Sequence, residues 1–581
     1  MKIKYTLIIS GTVLLLFLMS ITLITNEHQS PDGDPDNGGL FLPGNFKAVV
    51  VVDSLAGRAR HLAVNTNGDI YVKLKFPDTI GGNIALRDTN QDGKADSVIK
   101  FGNYEDKGSY GTGMRIHKGY LYFSSETNVY RTRLDPNSLV PDGPLELILH
   151  TDGAQEHAAK PITFDGAGHM YVAFGAPSNA CQIENRVPGS TGVEGCPLLK
   201  ENGGIWRFDE AKPGQEQKDG TRYATGLRSV VAMDWNEAEN CLYVVMHGRD
   251  DLRLLFPKLF SARQSAVLPA EEFLKIKEGA DAGWPYYYYD PVLKKKVLSP
   301  EYGGNGKIVK DGAKYTQPIM AFPAHWAPND LLFYTGDQFP ARYKNGAFIA
   351  FHGSTNRNPY PQAGFFVCFV PFKNGVPSGN WEVFADGFSG SGAVMNVSDA
   401  VYRPMGLAIG PDGSLYVSDT EKGRIWRIFY KGNKNNFGTA QLAKMELRKK
   451  LPGLSDPPVI VKNNPVKKVL TGGAKIYNTY CANCHQQNGR GDGNLFPPLN
   501  NSEWVTGEKQ KEKELVITVL LKGLKGPVKV KGSSYNNVMP GHSFLSDQQI
   551  AQVLTYIRNN FGNKSSIITA AEVKTVRAKL N

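Results

Sequence analysis

The sequence lacks the motifs of nucleic-acid-binding proteins and their interleaving of arginine with aromatic residues, although its 581 residues carry a net charge of +11. The basic excess is local. Lys and Arg number 43 against 46 Asp and Glu in 1–430, 7 against 2 in 431–466, and 16 against 7 in 467–581. We therefore interpret the C-terminal region as a docking surface for an acidic protein or a lipid face, and we expect no nucleic-acid partner.

Charged residues are missing from the apolar stretch 5–25, which follows Lys2 and Lys4 and is long enough to span a bilayer. No A-x-A-like cleavage site ends it, so we favour an uncleaved membrane anchor helix, with a cleaved signal peptide as the alternative. No cysteine stands directly after the stretch, which excludes lipoprotein-type lipid attachment. We expect the rest of the chain in the periplasm, anchored to the inner membrane, or secreted if the segment is cleaved.

The chain is neither short nor poor in apolar residues. Hydrophobic residues make up 41% and aromatic residues 10%, which excludes a disordered protein. The length excludes a single small module. Gly (62) and Pro (35) are dense, as in folds built from many short strands joined by turns. This composition favours an all-β architecture.

One pattern recurs six times between residues 40 and 430. Each copy is an apolar run, a Gly/Asn/Asp turn and a second apolar run, as in a pair of adjacent antiparallel strands. The copies lie at 61–72, 114–124, 162–174, 231–245, 331–350 and 405–417. They predict a six-bladed β-propeller, with a β-sandwich as the alternative.

A cation stands at the start of the first strand in four repeats. The four are Arg60, Lys160, Arg228 and Arg403. Because the innermost strands of a propeller line its axis, these side chains should converge at one mouth of the central channel. Such a cluster predicts a small polyanionic ligand, since arginine binds carboxylates bidentately. Scattered surface charge is the alternative.

The pentapeptide 481–485, Cys-Ala-Asn-Cys-His, has the C-x-x-C-H pattern of c-type haem attachment. The thiols of Cys481 and Cys484 can form thioethers with the haem vinyl groups, while His485 binds the iron. Met539 can complete the axial pair, and His542 is the alternative ligand. A thiol redox site is the alternative to haem.

Helical patterns at 471–480, 511–524 and 546–560 flank this motif, and Ser546 is a plausible N-cap of the last. With Gly489–Gly493 and Phe496–Leu499, the segment resembles class I cytochrome c domains, including those that are fused to or partner bacterial quinoprotein dehydrogenases. The resemblance implies a small all-α domain with covalent haem c.

The propeller region resembles the pyrroloquinoline quinone (PQQ)-dependent sugar dehydrogenases, and most closely their sorbosone and pyranose branch. The motifs that carry this resemblance are Glu156-His157, Thr225-Gly226-Leu227-Arg228, His247-Gly248-Arg249-Asp250-Asp251, Gly279–Pro285 and Tyr402-Arg403-Pro404. PQQ is a tricarboxylate, which suits the predicted cationic mouth.

The resemblance implies roles for individual residues. His157 would be the general base that removes the substrate hydroxyl proton. Glu156 would orient or support it, although glucose dehydrogenases have Asp at this place. Arg228 would polarise the quinone carbonyl. Gly248 and Arg249 match the segment whose backbone carbonyls bind the Ca²⁺ of the cofactor.

Two further positions bear on cofactors. His352 stands at about the place of the family's lysine on the fifth blade and replaces it in our interpretation. The segment 88–96 matches the first nine positions of an EF-hand loop, with Asp88, Asn90, Asp92 and Asp96 as oxygen donors. Ile99 stands where the loop's bidentate Glu belongs, so a solvated hairpin turn is the alternative to structural Ca²⁺.

The other four cysteines predict no redox chemistry. Cys181 and Cys196 lie in a Gly/Pro/Asn-rich insertion, where an oxidising compartment favours a disulfide. Cys241 and Cys368 lie in apolar strands and are expected to be buried thiols.

The leading hypothesis is a quinohaemoprotein that oxidises a sugar hydroxyl or aldehyde with PQQ and Ca²⁺, and passes electrons through haem c to a soluble cytochrome, a cupredoxin or a terminal oxidase. A Ca²⁺-dependent lactonase-type hydrolase and a non-catalytic carbohydrate-binding propeller are the alternatives. The predicted boundaries are 1–26 for the anchor or signal peptide, 27–45 for a tether, 46–430 for the propeller, 431–466 for a linker, 467–562 for the cytochrome c domain and 563–581 for a tail.

Overall fold

The computed structural model describes residues 31–104, 112–152, 156–390, 392–457, 472–493 and 495–580. The predicted anchor helix therefore lies outside the described residues. Among the residues that are described, no helix has the length and apolar character needed to cross a membrane.

Six sheets of four or five strands form the larger part of the described chain, each beginning with its innermost strand. Their strands are as follows: in blade 1, Ala59–Val64, Ile70–Leu74, Asn83–Arg87 and Ser97–Phe101; in blade 2, Met114–His117, Tyr120–Ser124, Asn128–Arg133, Glu146–His150 and Gln215–Glu216; in blade 3, Ile162–Phe164, His169–Phe174, Gly204–Asp209, Thr221–Thr225 and Ala280–Asp281; in blade 4, Val230–Asn236, Cys241–Met246, Glu271–Ile276 and Met320–Phe322; in blade 5, Pro328–Phe333, Ala347–Phe351, Phe366–Val370 and Glu382–Ala385; in blade 6, Pro404–Ile409, Leu415–Asp419, Ile425–Tyr430 and Phe46–Val52. The first two strands of every sheet are the hairpins predicted from the sequence, which confirms the six-bladed propeller.

The ring is closed by the N-terminal strand of the propeller, which joins the sheet of the last blade. The first strand of the propeller, Phe46–Val52, pairs antiparallel with Ile425–Tyr430, so that Phe46 lies opposite Tyr430 in blade 6. The innermost strands contact one another in sequence around the ring, and that of blade 6 contacts that of blade 1. All six strands therefore begin at the same end of the channel. Four of them have a predicted cation within two residues of their start, namely Arg60, Lys160, Arg228 and Arg403.

Aromatic side chains fill the space beside the closing strand. Phe46 is buried and packs edge-to-face against Phe339, Phe384 and Tyr430, with ring centroids 4.8, 5.1 and 5.0 Å apart. Such contacts add to the free energy of burying the rings themselves. They stabilise the closure of blade 6 on blade 5.

A helix in the predicted linker packs on the propeller. It spans Thr439–Arg448, and its Met445 is buried with Leu454 in the apolar core of blades 4 and 5. The remaining predicted linker, from residue 458 on, lies outside the described residues. Shorter elements of the propeller are the helices Leu252–Leu255 and Ala262–Val267, and the hairpins Tyr287–Asp290 with Lys295–Leu298 and Phe372–Lys373 with Val376–Pro377.

The C-terminal domain is mainly helical. Its helices are Gly472–Tyr480, Ala482–His485, Glu503–Thr506, Gln510–Lys522, Asp547–Arg558 and Ala570–Leu580, and Val528–Val530 pairs with Ser533–Tyr535. The three predicted helices are confirmed, and the Ser546 hydroxyl caps one of them by accepting from Gln549 N. The last helix, beyond the predicted domain end, buries Val573 and Val576 in the same core.

Candidate functional site

His157 is held in a single orientation by the main chain. Its Nδ1 lies 2.6 Å from the Ala176 carbonyl oxygen, and because a carbonyl only accepts, Nδ1 carries the proton and Nε2 is the basic nitrogen. The backbone of His157 is left-handed, with φ of 51°. Burial, followed by the Arg228 charge, lowers the pKa of His157 to about 3, so the imidazole is neutral at physiological pH.

Glu156 is bound by the disulfide-closed loop rather than by His157. Its carboxylate accepts from Arg186 Nη2 at 3.1 Å and from Asn185 Nδ2 at 2.8 Å. Burial alone would raise the pKa of Glu156, but the Arg186 charge and the neighbouring His157 and Arg228 outweigh it and lower that pKa. The hydrogen bond that orients His157 is therefore the one that it donates to the Ala176 carbonyl. Glu156 contributes its negative charge, which acts to raise the pKa of His157.

Arg186 is the centre of an ion-pair cluster that sequence reasoning missed. Besides Glu156, its guanidinium binds Asp251 Oδ2 at 2.8 Å and Asp250 Oδ2 at 3.3 Å. The loop that carries it is closed by the Cys181–Cys196 disulfide, which confirms the predicted pairing. Three carboxylates from two separate loops are therefore held by one cation.

Arg228 lies on the other side of Asp250. Its Nη2 donates to Asp250 Oδ2 at 2.7 Å, its Nη1 to the Gly248 carbonyl at 2.7 Å, and its Nε to the Asn179 carbonyl at 3.1 Å. Burial opposes ionisation of Asp250, but Arg228 and Arg186 outweigh it and hold its pKa far below the usual range. The Gly248 carbonyl, predicted to bind Ca²⁺, accepts from a guanidinium here.

A further carboxyl, Glu271, supports the Gly248 loop. It is buried and accepts from Gly248 N at 2.9 Å. Burial raises the pKa of Glu271 to about 7. The side chain of Arg249, by contrast, forms a buried ion pair with Glu301, so only its backbone is free for the predicted role.

A second, cationic cluster lies at the same end of the channel. Arg403 donates to the carbonyl of His352 at 3.1 Å and pairs with Glu421 at 3.4 Å. Burial and the like charge of Arg60 drive the pKa of the buried Lys75 well below its usual value. His352 Nε2 lies 2.6 Å from Thr420 Oγ1, and burial, followed by the charges of Arg403 and Arg60, lowers the pKa of His352.

Lys160, predicted beside these cations, is buried against the ring of Phe174, with Nζ 5.1 Å from the ring centroid. Burial lowers the pKa of Lys160 to about 8. His247 Nε2 lies 2.7 Å from the Pro328 carbonyl oxygen, and burial lowers the pKa of His247 to about 4.

The C-x-x-C-H segment has the features that haem attachment needs. Cys481 and Cys484 are not in a disulfide. His485 is buried, and its Nδ1 donates to the Pro497 carbonyl at 2.9 Å, which leaves Nε2 for a metal. Met539 is partly buried against the domain core and exchanges two backbone hydrogen bonds with Leu524. These residues fit a haem held by two thioethers and a His/Met pair.

His542, the alternative ligand, is buried near them. Burial lowers its pKa to about 4, and His485 is among the groups that lower it further. Its Nδ1 has no hydrogen-bond partner among the described residues. Met539, the predicted iron ligand, and His542, its alternative, therefore lie in the same loop.

The haem-binding segment rests on the ion-pair cluster of the propeller. Asn483 Nδ2 donates to Asp251 Oδ1 at 3.1 Å, and Gln487 Nε2 donates to Asn358 Oδ1 at 2.6 Å. Asp251 and Arg186 both act on the pKa of Cys484, which burial raises. Gln487 N also donates to Asn396 Oδ1 at 2.8 Å, which adds a second bond from this residue to the propeller.

The EF-hand-like loop is closed by its own amides. Asp88 accepts from Gln91 N and Gly93 N at 2.7 and 2.8 Å, and Asp96 accepts from Thr89 N at 2.7 Å. Asn90 Nδ2 lies 3.4 Å from Asp92 Oδ2. In the described residues, no three His, Cys, Asp or Glu side chains are arranged to hold a metal ion. Calcium here remains a prediction.

Comparison with known proteins identifies the C-terminal domain. Residues 470–561 match the family described as "Cytochrome c". Cytochrome c-552 from Thermus thermophilus is 45% identical over 112 residues, which are 18% of this chain and 85% of that protein. The C-terminal domain belongs to the cytochrome c family.

The propeller preceding this cytochrome domain matches two families. Residues 116–354 match "Glucose / Sorbosone dehydrogenase" and residues 307–431 match "TrAA12-like". The PQQ domain of pyranose dehydrogenase from Coprinopsis cinerea superposes with a TM-score of 0.53 at 16% identity, covering 67% of this chain and 97% of that one. The calcium structure of a family AA12 enzyme from Trichoderma reesei gives 0.54 at 17%, covering 68% and 98%. At these identities the structures show a shared fold.

The two results together describe a six-bladed propeller, part of which matches the glucose/sorbosone dehydrogenase model, joined to a cytochrome c domain. The chain brings His157, Arg228 and Asp250 together at the mouth of the propeller. Asp250 and Asp251 belong to the motif that spans His247–Asp251, so the sequence already pointed to both residues. Arg186 had no signal besides its place in the disulfide loop.

Proposed function

We propose that the chain oxidises a sugar hydroxyl or aldehyde with PQQ bound at the propeller mouth, and passes the electrons through covalent haem c to an external acceptor. The observation that carries this proposal is the contact between Asn483, inside the haem-binding pentapeptide, and Asp251 of the cluster beside His157. A haem attached there lies next to the candidate site of oxidation, in the same chain.

The cationic cluster supports a tricarboxylate ligand. Lys75 is buried, and burial together with the like charge of Arg60 lowers its pKa well below the usual value. Carboxylates of a bound ligand would relieve that repulsion, and Arg403 with His352 stands beside them. PQQ would supply a two-electron acceptor at this place, and haem c a one-electron carrier.

His157 suits the role of general base. Its Nε2 is unprotonated because Nδ1 donates to Ala176, and it accepts a proton from the substrate hydroxyl in our proposal. Once protonated, the imidazolium is stabilised by the negative charge of Glu156, which acts on its pKa. The two residues therefore work as a base and a nearby counter-charge.

Arg228 suits the role of an electrostatic stabiliser. It is buried and fixed by four hydrogen bonds to Asn179, Gly248 and Asp250, so its charge is already oriented before negative charge develops on a neighbouring oxygen. Asp250, which also pairs with Arg186, holds Arg228 in the ion-pair cluster. We also place the chain in the periplasm, which the disulfide and haem attachment both favour.

Reconstitution tests the proposal directly. The purified haem protein is incubated with PQQ and Ca²⁺, a panel of aldoses, ketoses and sugar aldehydes is added, and haem reduction is followed by absorbance. We expect reduction that needs both PQQ and one class of sugar. His157→Ala should slow it by about 10²- to 10⁴-fold with little change in PQQ affinity.

A matched control keeps the test specific. His169→Ala removes a half-exposed histidine that pairs with Asp165 on the hairpin of blade 3. It should reduce haem at the parent rate. Equal rates for the two variants, or no reduction by any sugar in the panel, would overturn the proposed function.

A further inference from the structure

Arg186 links the candidate oxidation site to the haem-binding segment. Its Nη2 lies 3.1 Å from Glu156 Oε2, and Glu156 immediately precedes the candidate base His157. Its Nη1 lies 2.8 Å from Asp251 Oδ2, and the other oxygen of that carboxylate accepts from Asn483 Nδ2 at 3.1 Å. Two side chains, Arg186 and Asp251, therefore connect the neighbour of the base with the segment between the haem cysteines.

The same guanidinium also reaches the partner of Arg228. Asp250 Oδ2 lies 3.3 Å from Arg186 Nη2 and 2.7 Å from Arg228 Nη2. The side chains of Glu156, Asp250 and Asp251 are only 6%, 18% and 7% exposed. Without Arg186, three carboxylates with little water around them would repel one another. The positions of all three therefore depend on this residue.

The loop that carries Arg186 is built to hold it in one orientation. The Cys181–Cys196 disulfide closes the loop. The backbone of Arg186 is left-handed, with φ of 61°, which costs conformational energy in a residue other than glycine. Gln182 Oε1 accepts from Arg186 N at 3.0 Å and supports that conformation. A backbone held in this region is typical of a functional position.

Arginine is the residue type that this arrangement needs. Besides its two Nη contacts, Arg186 directs Nε to Glu156 Oε1 at 3.2 Å. Its donors thus point to separate carboxylates in the fixed plane of the guanidinium. A lysine would supply the same charge from a single nitrogen on a flexible stem, so it could not hold the three carboxylates in this geometry.

The charge of Arg186 also balances a carboxylate beside the haem-binding pentapeptide. Asp251 binds Asn483, which adjoins Cys484 in the sequence. A negative charge near a haem stabilises the ferric form, which carries one more positive charge than the ferrous form. Pairing with Arg186 reduces this effect of Asp251.

We infer that Arg186 is a positioning residue that couples the two halves of the reaction. It fixes Glu156 and Asp250 at the oxidation site and Asp251 against the haem-binding segment, and it neutralises Asp251 beside the haem. The coupling of sugar oxidation to haem reduction rests on the proposed function. The effect of the charge on the haem does not, because it requires neither sugar nor PQQ.

Potentiometric titration of the full haem protein, without sugar or PQQ, tests the charge. Arg186→Gln should raise the ferric-to-ferrous ratio at a fixed potential about threefold to tenfold. Asp251→Asn should lower that ratio by a similar factor, and the Arg186→Gln/Asp251→Asn double variant should lie close to the parent. If Arg186→Gln does not fold, Asp251→Asn and the double variant still decide the result.

Arg342→Gln is the matched control for the charge. Arg342 binds both oxygens of Glu382, at 2.8 and 2.6 Å. It lies between the first two strands of blade 5, at the end of the channel opposite the mouth. The substitution removes the same charge from the chain, and it should leave the ferric-to-ferrous ratio unchanged.

Sugar-driven haem reduction after PQQ reconstitution tests the positioning. Arg186→Lys keeps the charge, so the haem potential should stay at the parent value while the rate falls about tenfold. Arg342→Lys should reduce haem at the parent rate. A merely structural ion pair would lower the denaturant midpoint in the variants of both arginines and would leave the haem potential where it is.

Two results would overturn the inference. Equal ferric-to-ferrous ratios for Arg186→Gln and Arg342→Gln, or an unchanged ratio for Asp251→Asn, would show that this ion pair does not act on the haem. A rate for Arg186→Lys within twofold of the parent would show that any cation suffices at this position. If no sugar reduces the haem of the parent while the potentials shift as expected, the proposed function and the coupling fail, and the effect of Arg186 on the haem stands.

Discussion

Gly175→Ala is expected to disable the candidate base without touching its side chain. A Cβ at Gly175 would lie 2.2 Å from the His157 carbonyl oxygen and 2.7 Å from its Cβ, and both atoms belong to or adjoin the backbone. An ordinary contact requires at least 3.4 Å, so one of the two segments must move by about 1 Å. The bond from His157 Nδ1 to Ala176, the next residue, should distort with it.

The expected effects differ in size between activity and stability. Misplacing a reacting group by about 1 Å costs on the order of 10²-fold in rate. Overpacking of this kind costs about 1–3 kcal/mol of unfolding free energy. Sugar-driven haem reduction after PQQ reconstitution measures the first, and denaturant unfolding measures the second.

Gly453→Ala is the matched control, because an added Cβ there meets no atom within 4 Å. It should leave both quantities close to those of the parent. If Gly175→Ala reduces haem within threefold of the parent rate, the chain accommodates the methyl group without moving His157, and our account of its positioning is wrong.

Three other predictions concern the two cofactor sites. Met539→Ala should keep the haem covalently attached but lose the weak red absorption of Met-ligated ferric haem, and an unchanged spectrum would assign the ligand to another residue. Because the pKa of His157 is lowered to about 3, its imidazole stays neutral as pH falls, and the rate of sugar-driven haem reduction should show no acid limb near pH 6.5 between pH 7 and 5. Asn483→Asp places a carboxylate against Asp251 and should slow sugar-driven haem reduction about tenfold, whereas Asn478→Asp, on the preceding helix, should leave the rate unchanged.

The features predicted correctly from the sequence are those that short, continuous segments encode. The six hairpins are each encoded by two apolar runs and a turn, and Ser546 marks the start of a helix by its own side chain. The propeller follows because such hairpins, repeated six times, can bury their faces only against one another.

The arrangement of the site depends on contacts between distant segments, and it was predicted in part. Arg186, Glu156 and Asp251 come from three loops, and only the closed ring brings them within hydrogen-bond distance. The contact of the haem-binding segment with the propeller is made by amides such as Asn483 and Gln487, whose residue types carry no pattern that distinguishes them from ordinary surface residues. Neither arrangement could be predicted from spacing alone.

The strand that closes the ring has a consequence for the order of folding. Phe46 can find its partner Tyr430 only after the intervening blades have been synthesised, so this pairing is among the least local in the chain. Folding dominated by such distant contacts is slow, and it leaves unpaired strand edges exposed to aggregation in the meantime. Asp251 and Arg186 take their final places on the same ring, so the surface that receives the cytochrome domain is complete only once the ring has closed.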